Sequence, residues 1–214
     1  MSQQSLKVSP RHSICAPFRR ALPTALCIGA LGLTGHSGMA HAEDVQATPY
    51  VTPRVDVDVT YEAKGPDGQA YRQRMRWNAA HWQQRLDMET TGLIMLTDYK
   101  AHRLSVIDTR TKTYTVSGAP DAQFAPPGTP AAGHWQRGTQ DRVAGQGCTH
   151  WTTTDTDGQV GDFCYDDNGV LLSASHNGLE VIKALSYATT AQGPEIFKEP
   201  EGFHETRPIQ VDHQ

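Results

Sequence analysis

Strict alternation of apolar and polar side chains is the feature that most constrains how this chain can fold. It begins after residue 54, where Val57, Val59 and Tyr61 fall on one side and Asp56 and Asp58 fall on the other. A period of two residues is that of a β-strand with one buried face. We therefore expect a sheet that is apolar on one side and charged on the other.

Further strand-like runs continue to residue 117 and are separated by short turns, the first at residues 65–68 with the sequence Gly-Pro-Asp-Gly. Most of these runs alternate, and residues 93–96 form a more apolar strand. Residues 54–117 are therefore predicted to form about six antiparallel strands in a meander. We expect their apolar side chains to share one face of the sheet. The candidates for this face are Val57, Val59, Tyr61, Met75, Trp77, Trp82, Leu86, Met88, Leu104, Val106 and Tyr114.

The opposite face is expected to carry rows of charge, including Arg72, Arg74 and Arg76 beside the aspartates of the first strand. Cross-strand pairs of opposite charge stabilise a sheet by roughly 0.2–1 kcal/mol each. A salt-paired outer face is thus the structural interpretation of the arginine row. The functional alternative is an anion-binding patch.

Residues 118–135 interrupt the strands because four prolines in this stretch oppose regular structure. Long loops in compact domains are often lids or flexible excursions. Trp135, at the end of this loop, is our candidate for a lid over the apolar face; a disordered loop is the alternative.

Cys148 and Cys164 are the two cysteines outside the N-terminal leader. We predict that they form a disulfide on a hairpin that turns at residues 155–158, with the sequence Asp-Thr-Asp-Gly. A loop centred on Thr156 would place them directly opposite each other. A four-residue loop would put them on opposite faces unless a bulge corrected the register. Closing a loop of this size should stabilise the fold by about 3 kcal/mol.

Residues 1–42 have the features of a secretory signal peptide. The start is basic, an apolar run spans Ala21 to Leu33, and the small residues Ala40 and Ala42 precede a cleavage site after Ala42. We expect a periplasmic or secreted protein, and a disulfide fits an oxidising compartment. The alternative to cleavage is a segment retained as an N-terminal anchor. Arg19-Arg20 raises the twin-arginine route as the alternative to Sec export.

The mature chain divides into a flexible lead-in (43–53), a single antiparallel β domain (54–203) and a polar tail (204–214). Cleavage after Ala42 leaves 15 basic against 23 acidic residues, a net charge of −8. An acidic domain attracts neither nucleic acid nor anionic lipid, so we exclude a nucleic-acid partner. Nothing in the mature chain is long and apolar enough to be a membrane span.

Chemistry-bearing motifs are missing from the sequence. It has no nucleophile elbow, phosphate loop or dinucleotide fingerprint. The candidate ligands for a metal site are His150 and His176, with His81 and His102 near the methionines. Because the mature chain has seven histidines, a few are expected near cysteines by chance. We therefore expect no catalytic residue, no cofactor and no metal, and a protein that is not an enzyme.

The layout resembles the periplasmic lipoprotein-carrier (Lol-type) half-barrel superfamily. The resemblance covers most of the mature chain as a pattern of strands and turns. It is carried by the meander of residues 54–116, by residues 95–99 before 103–108, by residues 167–172, and by Phe197, Pro200, Gly202 and Phe203 near the end. It implies a curved antiparallel sheet, or half-barrel, whose apolar concave face holds acyl chains. The long helices that cover this face in the family are not evident here.

Two classes of function follow. The first is a non-enzymatic periplasmic binding or carrier-like domain for lipid or lipoprotein acyl chains. The second is a structural or interaction subunit of a cell-envelope complex, bound to another envelope protein. A metal-binding envelope protein is the third and weakest hypothesis.

Overall fold

The structure is a computed structural model that describes residues 48–119 and 124–207. These residues form twelve β-strands and one short 3-10 helix, so the prediction of a mainly β, antiparallel fold is confirmed. The predicted signal peptide, residues 1–42, lies outside the described residues. The strands are β1 (Val57–Lys64), β2 (Ala70–Asn78), β3 (Gln83–Met88), β4 (Leu93–Asp98), β5 (Arg103–Asp108), β6 (Thr113–Gly118), β7 (Gln136–Val143), β8 (Gln146–Thr154), β9 (Val160–Tyr165), β10 (Leu171–His176), β11 (Leu179–Thr189) and β12 (His204–Glu205); the helix is Pro194–Phe197.

All twelve strands belong to one curved, open sheet in the order β12-β6-β5-β4-β3-β2-β1-β11-β10-β9-β8-β7. It consists of two meanders, β1–β6 and β7–β11, joined by antiparallel pairing of β1 with β11. The short strand β12 pairs with β6 in parallel. It includes His204 and Glu205, which the sequence analysis assigned to a polar tail.

Four consecutive hairpins of the first meander have four-residue loops between directly paired strand ends. The same loop position therefore recurs every ten residues. The last residue of each loop has a left-handed backbone, which lets the chain reverse without disturbing the pairing. The loops are residues 79–82, 89–92, 99–102 and 109–112, and they end at Trp82 (φ 58°), Gly92 (70°), His102 (51°) and Lys112 (55°).

Carboxylates at the start of two of these loops fix the turn. Oδ1 of Asp98 accepts a hydrogen bond from the backbone N–H of Ala101 at 2.8 Å, and Oδ1 of Asp108 accepts one from Arg110 at 2.8 Å. Short polar side chains favour turns because they satisfy such backbone groups locally. The loops thus hold each strand in register with the next.

The buried side chains form two clusters. The larger joins β1 and β2 to the second meander, and it includes Val57, Val59, Trp77, Cys164 and Leu172. The smaller consists of Ile94, Leu96 and Ile107, with Tyr114 and Phe203 packed against it.

The two clusters lie on opposite faces of the first meander. The cross-strand pairs that start at Val57 and Trp77 continue through Gln84 and Thr97 to Leu104 on β5. Val106 lies on the same side as Leu104, and Ile107 points the other way, because neighbouring residues on a strand alternate. We call the side that carries Val57 the apolar face and the side that carries Ile107 the strap face. The prediction that the apolar side chains of this meander share one face is therefore wrong for β4–β6. Tyr114 lies on the strap face, opposite Ile107.

Residues 192–206, which we call the C-terminal strap, cross the strap face. Glu199 accepts a hydrogen bond from Ser105 at 2.6 Å and forms an ion pair with Arg103 at 2.5 Å. Arg85 donates to the carbonyl of Ile196 at 2.9 Å. Together with Phe197 and Phe203, these contacts bury the strap face in the region of β3–β6.

The predicted disulfide is present: Cys148 and Cys164 are bonded, with their Cα atoms 5.4 Å apart. The hairpin has a five-residue loop, because Thr154 pairs with Val160. Cys164 is therefore opposite His150, and Cys148 is diagonal to Cys164 on the same face. The observed register is neither of the two considered from the sequence. Because Cys148 is offset by two residues from the position opposite Cys164, both side chains still lie on the same face and can bond.

Residues 48–53, expected to be a flexible lead-in, are held by the loop after β6 and by β2. Tyr50 forms an isolated β-bridge with Pro130, and the N–H of Ala131 donates to the carbonyl of Pro49 at 2.8 Å. The indole of Trp77 donates to the carbonyl of Pro53 at 2.8 Å. These bonds join the start of the domain to its core.

The opposed faces can be tested with a pair of neighbouring substitutions. Ile107→Ala should lower the free energy of unfolding by about 2–5 kcal/mol, because a fully buried side chain leaves a cavity. Val106→Ala should cost about 1 kcal/mol, because Val106 is half-buried on the other face. Urea unfolding of both variants measures the difference. Equal losses would contradict the assignment of faces.

Candidate functional site

The apolar face of the first meander carries a cross-strand row of large, flexible side chains. Met75 lies opposite Leu86, Leu86 opposite Met95, and Met95 opposite Val106. Met88 and Leu93 form a second row beside it. Directly opposite side chains on one face are in contact range, so these residues make a continuous apolar surface over four strands.

This surface is only partly covered. Met75 is buried, with 8% of its surface exposed, whereas Leu86, Met95 and Val106 are half-buried. On the strap face of the same strands, Ile94, Leu96 and Ile107 are buried. The sheet in β3–β5 is thus covered on the strap face and only partly covered on the apolar face.

Charge distinguishes the two faces as well. Among the positions of β2–β6 that the pairing places on the apolar face, Asp108 is the single charged residue. The strap face carries Arg76, Arg85 and Asp87. The carboxylate of Asp87 forms ion pairs with both guanidinium groups, each with an N–O distance of 2.7 Å. Burial raises the pKa of Asp87, but hydrogen bonds from Arg85 and Arg76 outweigh it and hold the pKa below its usual value. The apolar face is accordingly suited to an uncharged ligand.

At two positions of the arginine row, the structure has the salt-paired outer face that the sequence predicts. Arg74 forms an ion pair with Asp58 and Arg76 with Asp87, both across neighbouring strands. These pairs neutralise the positive charge that an anion-binding patch would require.

Aromatic rings occupy the loop end of the apolar face. Phe124 stacks on Tyr99 with ring centroids 4.1 Å apart, and it lies 5.6 Å from the ring of Trp82 and 6.5 Å from that of Trp77. Burial raises the pKa of Tyr99. Phe124 therefore anchors the proline-containing loop here, a role that the sequence analysis did not assign.

Trp135, the candidate lid, packs on the second meander. Its ring lies edge-on to Phe163 and Tyr165, at centroid distances of 5.8 and 6.5 Å, and its indole donates to the carbonyl of Ala132. Burial raises the pKa of Tyr165 to about 12.

The remaining predicted face residues divide by burial. Val57, Val59, Tyr61 and Trp77 are core residues, fully or almost fully buried. The hydroxyl of Tyr61 donates to the carbonyl of Leu171 at 2.7 Å, and burial raises its pKa strongly. These four residues lie on the apolar face of β1 and β2 but are covered. The half-buried residues at this face are Trp82, Leu86, Met88, Leu104 and Val106 from the prediction, with Leu93 and Met95 in addition.

Leu93, Met95 and Phe124 are the residues that sequence reasoning missed. The stretch Leu93-Ile94-Met95-Leu96 is apolar at every position, so alternation does not distinguish its two faces. The signal that could have found Met95 is the hairpin spacing, since a four-residue loop puts Met88 opposite Leu93 and hence Leu86 opposite Met95.

His150 on β8 is held between two carboxylates of neighbouring strands. Its Nδ1 lies 2.5 Å from Oδ1 of Asp162, and its Nε2 lies 3.5 Å from Oδ2 of Asp141. Burial lowers the pKa of His150, but the hydrogen bonds and charges of Asp162 and Asp141 outweigh it, so the pKa is raised. The pKa of Asp141 is lowered, chiefly by a hydrogen bond from the backbone N–H of Arg142. The hydrogen bond and charge of His150 lower it further, and the charge of Lys183 has a weaker effect in the same direction.

No group of three or more histidine, cysteine, aspartate or glutamate side chains in residues 48–119 and 124–207 is arranged to hold a metal ion. Within the same ranges no helix has the length and apolar character needed to cross a membrane.

No protein-family model matches the sequence, and no curated protein matches it. Solved structures do match its fold. A conserved protein of Thermus thermophilus, described as uncharacterized, aligns with a TM-score of 0.54 at 8% identity over 72% of this chain and 91% of that protein. MucB aligns with a TM-score of 0.51 at 14% identity over 72% of this chain.

The aligned region spans 60% of the length of MucB. At these identities the likeness concerns the fold, and it agrees with the fold relationship that the Lol-type resemblance implied. A curved, open antiparallel sheet is thus the class of structure to which this chain belongs.

The raised pKa of His150 predicts a pH-dependent contribution to stability. The stabilisation is present in full below the ordinary histidine pKa of about 6.5 and is lost as pH rises through the higher folded-state pKa. His150→Asn should therefore lower the Tm more at pH 6 than at pH 8.5. His176→Asn, at an exposed position on β10, is the matched control and should show no such difference. A Tm loss for His150→Asn that is the same at both pH values would contradict the assignment.

Proposed function

We propose that this protein is a non-enzymatic binding domain of the cell envelope, exported to the periplasm, whose apolar face takes the acyl chain of a lipid or lipoprotein. The observation that carries the proposal is the partly buried row of Leu86, Met95 and Val106 on a face with almost no charge. A free surface of this kind on a folded domain marks a binding site for an apolar partner.

The chemistry of the surface favours an acyl chain. Methionine side chains are flexible and polarisable, so they adapt to ligands of irregular shape. Met88 and Met95 lie among leucines and a valine, and the polar residues near them, Gln84, Thr97 and Thr115, are uncharged. An alkyl chain needs no charged partner along its length, and each buried CH₂ contributes about 0.8 kcal/mol.

Export to an oxidising compartment is supported by two independent features. Residues 1–42 have the composition of a signal peptide. The Cys148–Cys164 disulfide is of the kind that persists outside the reducing cytosol.

Met95→Glu tests the acyl-chain proposal. A carboxylate in the centre of the row should weaken uptake of a fluorescent fatty acid at least about tenfold, because binding would remove the charge from water. Val181→Glu, an apolar-to-acidic change on β11 away from this face, is the matched control and should leave uptake unchanged. The idea fails if wild-type protein takes up no fatty acid, or if both variants bind like wild type.

A second candidate function, a protein-contact surface, is favoured by exposed apolar residues on β11. Val181 and Leu185 are 38% and 44% exposed, and Leu179 is 73% exposed. The pairing of β11 with β10 skips Val181, and its pairing with β1 skips Leu185, so both are the extra residues of β-bulges. Bulges direct side chains away from the regular sheet surface and often mark functional positions. We infer that these residues contact another envelope protein.

If the exposed residues of β11 bind a protein, Val181→Glu and Met95→Glu should affect partner binding in the opposite way to fatty-acid uptake. An envelope protein that co-purifies with the wild type in a fixed ratio should be lost in Val181→Glu and kept in Met95→Glu. Native mass spectrometry of the complexes measures the ratio. Retention of the partner by Val181→Glu would assign the contact to another part of the chain.

A further inference from the structure

Every methionine in the described residues lies on the apolar face. Met75 and Met95 flank Leu86 in the cross-strand row, and Met88 lies two residues further along β3. The sequence has two other methionines, Met1 and Met39, both in the leader. Three thioethers are thus concentrated on one surface of three adjacent strands.

These methionines differ in their access to solvent. Met88 and Met95 are only partly buried, whereas Met75 belongs to the larger buried cluster with 8% of its surface exposed. The two cysteines of the described residues are already joined as a disulfide. The thioethers of Met88 and Met95 are therefore the sulfur atoms that a small oxidant in solution reaches first.

Oxidation of a thioether changes its character without breaking the chain. A lone pair on sulfur attacks the electrophilic oxygen of a peroxide, the S–O bond forms and the O–O bond breaks. With hydrogen peroxide the sulfur loses two electrons, the peroxide is reduced, and the leaving hydroxide takes a proton and departs as water. The product, methionine sulfoxide, is polar and can be reduced again by methionine sulfoxide reductases.

We propose that Met88 and Met95 form an oxidation-sensitive modification site that switches off acyl-chain binding by the apolar face. The proposal rests on the proposed function. Two sulfoxides would place strong hydrogen-bond acceptors in the middle of a surface that otherwise offers alkyl groups. Binding an acyl chain would then remove these acceptors from water without a donor to replace it.

Met75 is an internal control for the effect of burial on methionine oxidation. It has the same chemistry and lies on the same face, but the larger cluster shields it. Peroxide should therefore oxidise Met88 and Met95 well before Met75.

The test uses the mature protein purified with its disulfide intact and treated with hydrogen peroxide. Peptide mapping, which detects a gain of about 16 Da per sulfoxide, should locate the first two sulfoxides at Met88 and Met95. Uptake of the fluorescent fatty acid should then fall about tenfold and recover after treatment with sulfoxide reductases. Circular dichroism of the treated protein checks that the sheet is retained.

Leucine variants separate the switch from general damage. The double variant Met88→Leu, Met95→Leu removes both accessible thioethers while keeping their apolar character. Whatever its starting uptake of fatty acid, that uptake should be the same before and after peroxide. Met75→Leu keeps Met88 and Met95, so peroxide should lower its uptake about tenfold from its own untreated value, as in the wild type.

Three results would overturn the proposal. One is oxidation of Met75 as fast as Met88 and Met95. Another is unchanged uptake in protein that carries both sulfoxides, and the third is equal sensitivity of the double variant. Untreated wild type that takes up no fatty acid would instead defeat the proposed function, and the switch with it, whatever the mapping shows.

Discussion

The register of the hairpins in the first meander is the constraint on which the rest of this structure depends. Loops of four residues, each ending in a left-handed residue, keep every strand directly paired with the next. A shift of one residue would move a whole strand's side chains to the other face. Met95 would then exchange places with Ile94 or Leu96, and the apolar row would be broken.

The two faces of this sheet are completed by different means. On the strap face, Glu199 joins Ser105 and Arg103, and Phe203 covers the cluster around Ile107. The apolar face of the same strands is left half-open, with an aromatic group around Phe124 at its loop end. The sheet is therefore covered by its own chain on one side and only partly covered on the other. This asymmetry is the observation on which the proposed binding function rests.

Much of the fold could be predicted from local sequence. The period of two in β1 and β2, the loop residues and the isolated cysteine pair predict an antiparallel sheet with one disulfide, because each signal acts within a few residues. The site was predicted less completely. Strand pairing puts Leu86, Met88, Leu104 and Val106 on the apolar face and Tyr114 on the strap face. Alternation separates the two sides of a strand but carries no information about which side will be covered.

The sequence by itself determined the class of the chain: strands of alternating character, turns where Gly, Asn and Asp permit them, and a disulfide suited to an oxidising compartment. Only the tertiary structure decided which face of β3–β6 is covered, because the covering residues, Phe197, Glu199 and Phe203, come nearly a hundred residues later in the chain. It also decided the offset of the two cysteines and the exposure of Val181 and Leu185. Each of these depends on bulges and long-range pairing, whose energies arise from contacts between distant segments and not from local preference.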